Sequence, residues 1–165
     1  MSENHTAIST LHHLTVKDIL EPITIKDIYV EKSENIEHVF LLFETKQHIW
    51  VVDDKISLHV VGVITESDTI QLLAPPYTPI QSYDKPTLQS FQYGLPILVE
   101  EIMSKQPITA HTEETIADVI MKMKQHQIKQ LPIVDDSERL IGEITLHRLI
   151  QEYTTQQKEM NQKKT

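Results

Sequence analysis

G-V-I-T-E-S-D fills residues 62–68, and G-E-I-T-L-H-R fills residues 142–148. Gly62 and Gly142 are two of only three glycines in the chain. A residue that scarce, used twice in one local phrase, marks a structural unit built twice. The last letter differs: Asp68 in the first copy has become Arg148 in the second.

The repeat spreads outward from this phrase. V-V-D-D at 51–54 answers I-V-D-D at 133–136, each a β-branched run ending in two turn-forming aspartates. Each therefore reads as the first arm of a hairpin. The second arms start at Leu58 and Leu140, with the first hairpin loop two residues longer. Upstream, Ile36, Val39, Phe40 and Phe43 fall at helical spacing, matched by Ile116, Val119, Ile120 and Met123. Ser33 and Thr112 are the expected N-caps, with Glu34, Glu113 and Glu114 suiting the positive helix start. Short extended stretches precede them at 28–30 and 107–110, and V-K-D-I-L at 16–20 matches V-E-E-I-M at 99–103. Final helices are expected over 67–73 and 146–153.

Each copy thus reads strand, helix, strand, strand, helix. The expected layout is an N-terminal polar segment 1–13, repeat one 14–73, a connector 74–96, repeat two 97–153 and a polar tail 154–165. Pro75, Pro76, Pro79 and Pro86 make the connector a helix breaker, and the tail reads as fraying helix or disorder.

Asp and Glu outnumber Lys and Arg by 24 to 15, a net charge of −9 that repels phosphate backbones and argues against nucleic-acid binding. With no cysteine, thiolate chemistry is excluded, which fits a reducing cytoplasm. M-S-E-N-H-T-A-I-S-T lacks a basic start and an apolar run, so no signal peptide is expected. No apolar stretch is long enough for a bilayer, and the expectation is a soluble cytoplasmic protein. The nine histidines are scattered without a zinc-ligand spacing, so no metal site is expected. Neither G-x-S-x-G nor a P-loop is present, and the sequence is read as a non-enzyme.

From the residues alone, T-E-S-D at 65–68 has two readings. Thr65 ends a strand and caps the following helix, while Asp68 reaches back to the Thr65 N–H, which makes a capping box that needs no ligand. The same helix start presents free N–H groups to a phosphate, beside a carboxylate able to accept from ribose hydroxyls.

The element order, the strands ending in V-D-D and the phrase Gly-hydrophobic-Ile-Thr-x-x-Asp resemble a tandem pair of CBS domains. These are small regulatory modules named after cystathionine β-synthase, and the resemblance covers roughly residues 14 to 153. Trp50 departs from the pattern where the second copy has Pro132, as does Arg148 for an acid. The resemblance implies an α/β (α+β) fold of two β-α-β-β-α repeats related by pseudo-two-fold symmetry. Each repeat would be a small three-stranded sheet with helices packed on one side.

It further implies ligand clefts shared by the repeats. Ile64, Thr65 and Asp68 would face Thr109, Ile128, Lys129 and Gln130, with Asp68 on a ribose, Ile128 on a base and Lys129 on phosphate. A second cleft would hold Thr145 and Arg148 with Gln47 and His48. Arg148 is a donor only and cannot accept from a diol. It would bind a phosphate or carboxylate, or fill the cleft; an empty or differently used site is the favoured expectation. The implied function is a regulatory sensor for an adenosine-type effector (AMP, ADP, ATP or S-adenosylmethionine and its relatives) without a cofactor. It would act in trans on an unknown protein target, as a disc-like homodimer. The alternatives are an interaction module with no small-molecule ligand and a small nucleotide hydrolase.

Overall fold

The computed structural model describes residues 6–21, 25–74, 94 and 96–164. The prolines of the connector lie outside the described residues. Two compact units emerge, one from residues 24–107 and the other from 1–23 with 108–165.

In the 24–107 unit, β1 (Tyr29–Glu31) pairs parallel with β2 (His48–Val52), and β2 pairs antiparallel with β3 (Val60–Thr65). Two residues, Ser104–Lys105, add a fourth strand, β4, beside Gly62 and Val63, one strand more than expected. In the other unit, β5 (Ala110–His111), β6 (Gln130–Val134) and β7 (Leu140–Thr145) repeat the parallel and antiparallel pairings. Both hairpins carry a register shift at the equivalent step, Val51/Val52 and Ile133/Val134. The aspartates end them as the sequence implies. Asp54 accepts from the N–H groups of Ile56 and Ser57, and Asp135 from those of Ser137 and Arg139.

Helices of the expected spacing cover the expected positions. In α3 (Ile36–Leu42), Ile36 and Val39 are fully buried, with Phe40 and Phe43 packed against the same cluster. The matching helix, Ile116–His126, does the same with Ile116, Val119 and Met123. The caps expected at Ser33 and Thr112 fall instead on Asn35, whose side chain accepts from the Glu37 N–H, and Thr115, which accepts from Asp118. The residues before them are taken by the turn after the first strand. There the Glu34 carboxylate accepts from the Glu31 N–H and that of Glu114 from His111, both at 3.0 Å.

The remaining helices show how the units are assembled. α1 (Ala7–His13) precedes α2 (Val16–Ile19), and α4 (Ile70–Leu73) follows a 3-10 turn over Glu66–Thr69. In chain order α5 is Val99–Ile102, α6 is Ile116–His126 and α7 is Leu146–Lys163. α2 opens the first repeat in sequence yet Val16 and Ile19 belong to the core that holds Ile116, Ile133 and Leu149. Correspondingly, Val99 and Ile102 of α5 belong to the core of the first repeat, with Val30, Ile49 and Ile64. The backbone bonds are duplicated too. Val16 and Lys17 donate to the carbonyls of Glu114 and Thr112 at 2.9 and 3.0 Å, and Val99 and Glu100 to those of Glu34 and Lys32 at the same distances.

This arrangement accounts for the two glycines. A Cβ on Gly142 would lie 2.8 Å from Cδ1 of Leu20, the residue after α2. A Cβ on Gly62 would overlap the sulfur of Met103, the residue after α5, and sit 3.0 Å from the Ser104 carbonyl. Each glycine is the seat of the short helix that the other repeat's sequence leads into.

The N-terminal segment and the tail also differ from expectation. Ala7 and Leu11 of α1 are buried, and Leu11 shares a core with Leu149. α1 packs along α7, which runs on to Lys163. Ile19→Ala is expected to cost about 2–5 kcal/mol and to speed amide exchange in residues 108–149. Native-state hydrogen exchange read by mass spectrometry checks this, and loosening confined to residues 25–74 would refute the exchanged packing.

Candidate functional site

β3 delivers Ile64 and Thr65 to a helix start. Ile64 is fully buried in the core of the 24–107 unit, so it anchors the end of the strand. Thr65 then takes extended backbone angles and the chain turns into the Glu66–Thr69 segment. The Asp68 carboxylate reaches back, its Oδ2 accepting from the Thr65 N–H at 2.7 Å and from the Thr65 hydroxyl at 3.0 Å. Among the described residues, nothing donates to Asp68 Oδ1. Across the sheet, His48 stands opposite Thr65 and its ring meets that of buried Trp50 edge-on, centroids 5.4 Å apart. The Gln47 carbonyl accepts from the Glu66 N–H at 3.3 Å.

The capping box is therefore formed, and it is not unique in the chain. Thr15 and Asp18 make the same pair of bonds at 2.8 and 2.9 Å, and Thr115 and Asp118 at 3.4 and 2.7 Å. The Thr15 N–H, then its hydroxyl, hold the Asp18 carboxyl below its ordinary value. That cap is intact at neutral pH and is lost as the pH falls through the carboxylate range. Geometry alone does not separate Asp68 from its two structural counterparts. Its position at the strand-to-helix junction does, because there Asp68 is half-buried whereas Asp18 and Asp118 are exposed.

In the other unit the equivalent junction is built differently. Thr145 accepts from the Arg148 N–H at 3.1 Å, but among the described residues no acid returns to the Thr145 N–H. Arg148 turns its guanidinium toward two carboxylates, with Nε 3.3 Å from Glu21 Oε1 and Nη1 3.3 Å from Glu152 Oε2. Gln130 pairs with Thr145 across the β6–β7 ladder, and the Lys129 carbonyl accepts from the Leu146 N–H at 2.7 Å. Ile128 is half-buried against the core while Lys129 is exposed. The Thr109 carbonyl accepts from Lys122 Nζ at 2.9 Å, and that ammonium is also paired with Glu114 at 2.6 Å.

The structure thus groups the named residues by unit. Ile64, Thr65 and Asp68 lie with Gln47 and His48, whereas Thr109, Ile128, Lys129 and Gln130 lie with Thr145 and Arg148. Sequence reasoning missed Glu152, Glu21, Lys122 and Glu114. The Arg148–Glu152 pair was legible as an i, i+4 spacing; Glu21 carried no signal, since only the exchanged packing brings it near. Among the described residues, no group of three His, Asp or Glu side chains is placed to hold a metal ion. None of the described helices is long and apolar enough to cross a membrane.

Two β-α-β-β-α copies, the first with a Thr-x-x-Asp junction and the second with Thr-x-x-Arg, define the class, and the CBS-domain family model matches residues 16–75 and 99–154. The chain belongs to the CBS-domain family and carries a tandem pair. It is similar to the L-aspartate semialdehyde sulfurtransferase of Methanocaldococcus jannaschii, 33% identical over 133 residues, 79% of this chain and 21% of that protein. It thus spans about a fifth of that enzyme's length. A second relative from that organism, the uncharacterized protein MJ1426, is 27% identical over 161 residues, 84% of this chain and 90% of the other. Among solved structures, the CBS domain pair of protein MJ0100, in complex with 5′-methylthioadenosine and S-adenosyl-L-methionine, aligns with a TM-score of 0.60. It is 25% identical and covers 86% of this chain and 97% of that one.

Asp68→Ala and Asp118→Ala are each expected to destabilise the protein by about 1 kcal/mol, the size of one hydrogen-bonded helix cap. Urea unfolding in the absence of ligand checks this. A much larger loss at Asp68 would mean that its carboxylate holds more of the fold than the Thr65 cap.

Proposed function

We propose that this chain is a regulatory module that senses an adenosine-containing ligand, an adenine nucleotide or a molecule of the S-adenosylmethionine type, and modulates a partner protein in trans. The observation that carries the reading is Asp68. Its Oδ2 is fixed by Thr65, so its orientation is set before any ligand arrives, and Oδ1 is left to accept from vicinal hydroxyls. Pre-orientation of this kind lowers the ordering cost of binding. The similar CBS domain pair in complex with methylthioadenosine and S-adenosylmethionine supports the choice of ligand class. Thr109, Ile128, Lys129 and Gln130 belong to the other unit, and their part in the same site is proposed from the family pattern. Ligand binding regulates a partner only through different affinities for two conformations of the module.

The competing reading, an interaction module without ligand, draws on the two purely structural copies of the Thr-x-x-Asp box at Thr15 and Thr115. A thermal-shift series separates the two. At about 100 times its dissociation constant a ligand adds ~2.7 kcal/mol, a shift of roughly 5–10 °C for a chain of this size. The shift is expected with AMP, ATP or S-adenosylmethionine and is expected to vanish in Asp68→Ala. Lys129→Ala is expected to weaken the nucleotides more than adenosine. No shift with any of them would favour the interaction module.

A homodimer is the proposed assembly. Leu41, Ile70 and Leu73 are each about two-thirds exposed on the helices of one unit, and Met121, Ile150 and Tyr153 occupy the same repeat positions in the other, 39–60% exposed. The same three apolar positions left open twice point to one kind of contact made twice, and a second copy of the chain supplies a matching face. Light scattering is expected to give twice the 19.1 kDa chain mass. Ile70→Glu with Ile150→Glu is expected to halve it, and a monomeric parent protein would sink the assembly.

A further inference from the structure

The second repeat has not only exchanged an acid for Arg148. Two further positions around that residue have changed with it. Glu152 stands where the first repeat has Leu72, which is fully buried in its unit's core. Glu21, following V-K-D-I-L, stands where V-E-E-I-M is followed by Ser104, a residue of β4. All three substitutions meet in one place. Arg148 Nη1 pairs with Glu152, whose other oxygen accepts from Gln156 Nε2 at 3.0 Å, and Arg148 Nε lies against Glu21. The Glu152 side chain is only 15% exposed and that of Arg148 26%. Nε itself is sealed from solvent, close enough to Glu21 for an ion pair but misaligned for a hydrogen bond. The seating of Leu20 on Gly142 delivers the next residue, Glu21, to this position.

We propose that Glu21, Arg148 and Glu152 form a built-in charge clasp that closes the α7 helix start to ribose-bearing and anionic ligands. Ligand recognition is thereby left to the unit that carries Asp68. The inference rests on the reading of Thr65 and Asp68 as ligand-binding residues. Arg148 has donors only and offers nothing to a diol. Its guanidinium is already shared by two carboxylates, so the cluster carries one positive and two negative charges. A phosphate arriving there meets net negative charge in place of a free cation. Glu21 and Glu152 are thus specificity residues that act through Arg148.

Isothermal titration with AMP and S-adenosylmethionine tests this on the full chain. The parent protein is expected to bind one ligand per chain. The triple variant Glu21→Ser, Arg148→Asp, Glu152→Leu introduces the equivalent residues of the 24–107 unit and is expected to bind two, while Arg148→Asp alone is expected to bind one. Two ligands on the parent chain, or one on the triple variant, overturns the clasp. Two on Arg148→Asp alone overturns the part given to the glutamates. Binding by the triple variant but not by the parent upholds the clasp and overturns the role of Asp68, and binding by neither overturns both. Should the triple variant melt without cooperativity, Glu21→Gln with Glu152→Gln decides. The freed guanidinium is expected to favour AMP over adenosine by roughly tenfold relative to the parent, the effect of one charge-assisted hydrogen bond. An unchanged ratio overturns the proposal.

Discussion

The close approach of Leu20 to Gly142, and of Met103 to Gly62, is the contact on which the rest of the structure depends. A short helix of four residues has little stability of its own, and its worth comes from the face it buries. Val16 and Ile19 in one case, and Val99 and Ile102 in the other, complete cores built from the opposite repeat. A side chain at residue 62 would press on Met103 and on the Ser104 carbonyl, and one at residue 142 would have to displace a methyl group of Leu20.

The same contact explains why the two units are unequal. Seating Leu20 fixes the position of Glu21, and so gives Arg148 a partner that nothing local in its helix supplies. In the 24–107 unit the equivalent of Glu21 is Ser104, which joins the sheet edge as β4, and Asp68 there is held by Thr65. One junction therefore ends with a carboxylate oxygen facing no described donor, the other with a neutralised cation. A chain duplicated in backbone has diverged in charge at one point, through three side chains that touch.

Much of the fold was legible because its signals are short-range. Paired V-D-D strand ends, helical spacing from Ile36 and Ile116, and the recurrence of Gly-x-Ile-Thr all sit within a few residues of what they specify. The errors came where local preference competed with a neighbour. Ser33 and Thr112 are good cap residues, yet Glu34 and Glu114 fold back to close the preceding turn, and the cap moves to Asn35 and Thr115. The stretch 154–163 reads as a polar tail from its composition, yet it continues a helix that packs against α1, an element far away in sequence. At the site, Thr65 and Asp68 were legible as a pair, but three such pairs occur and local geometry treats them alike.

The sequence by itself determined the duplication, the element order and the position of each strand-to-helix junction, because backbone preference and side-chain period act over single turns and strands. Only the tertiary structure decided which repeat each leading helix completes, what Gly62 and Gly142 pack against, and what Arg148 pairs with. Those outcomes depend on contacts between residues far apart along the chain, such as Leu20 with Gly142 and Glu21 with Arg148. The entropy of bringing such residues together is met by the whole packed core, and no local pattern records it.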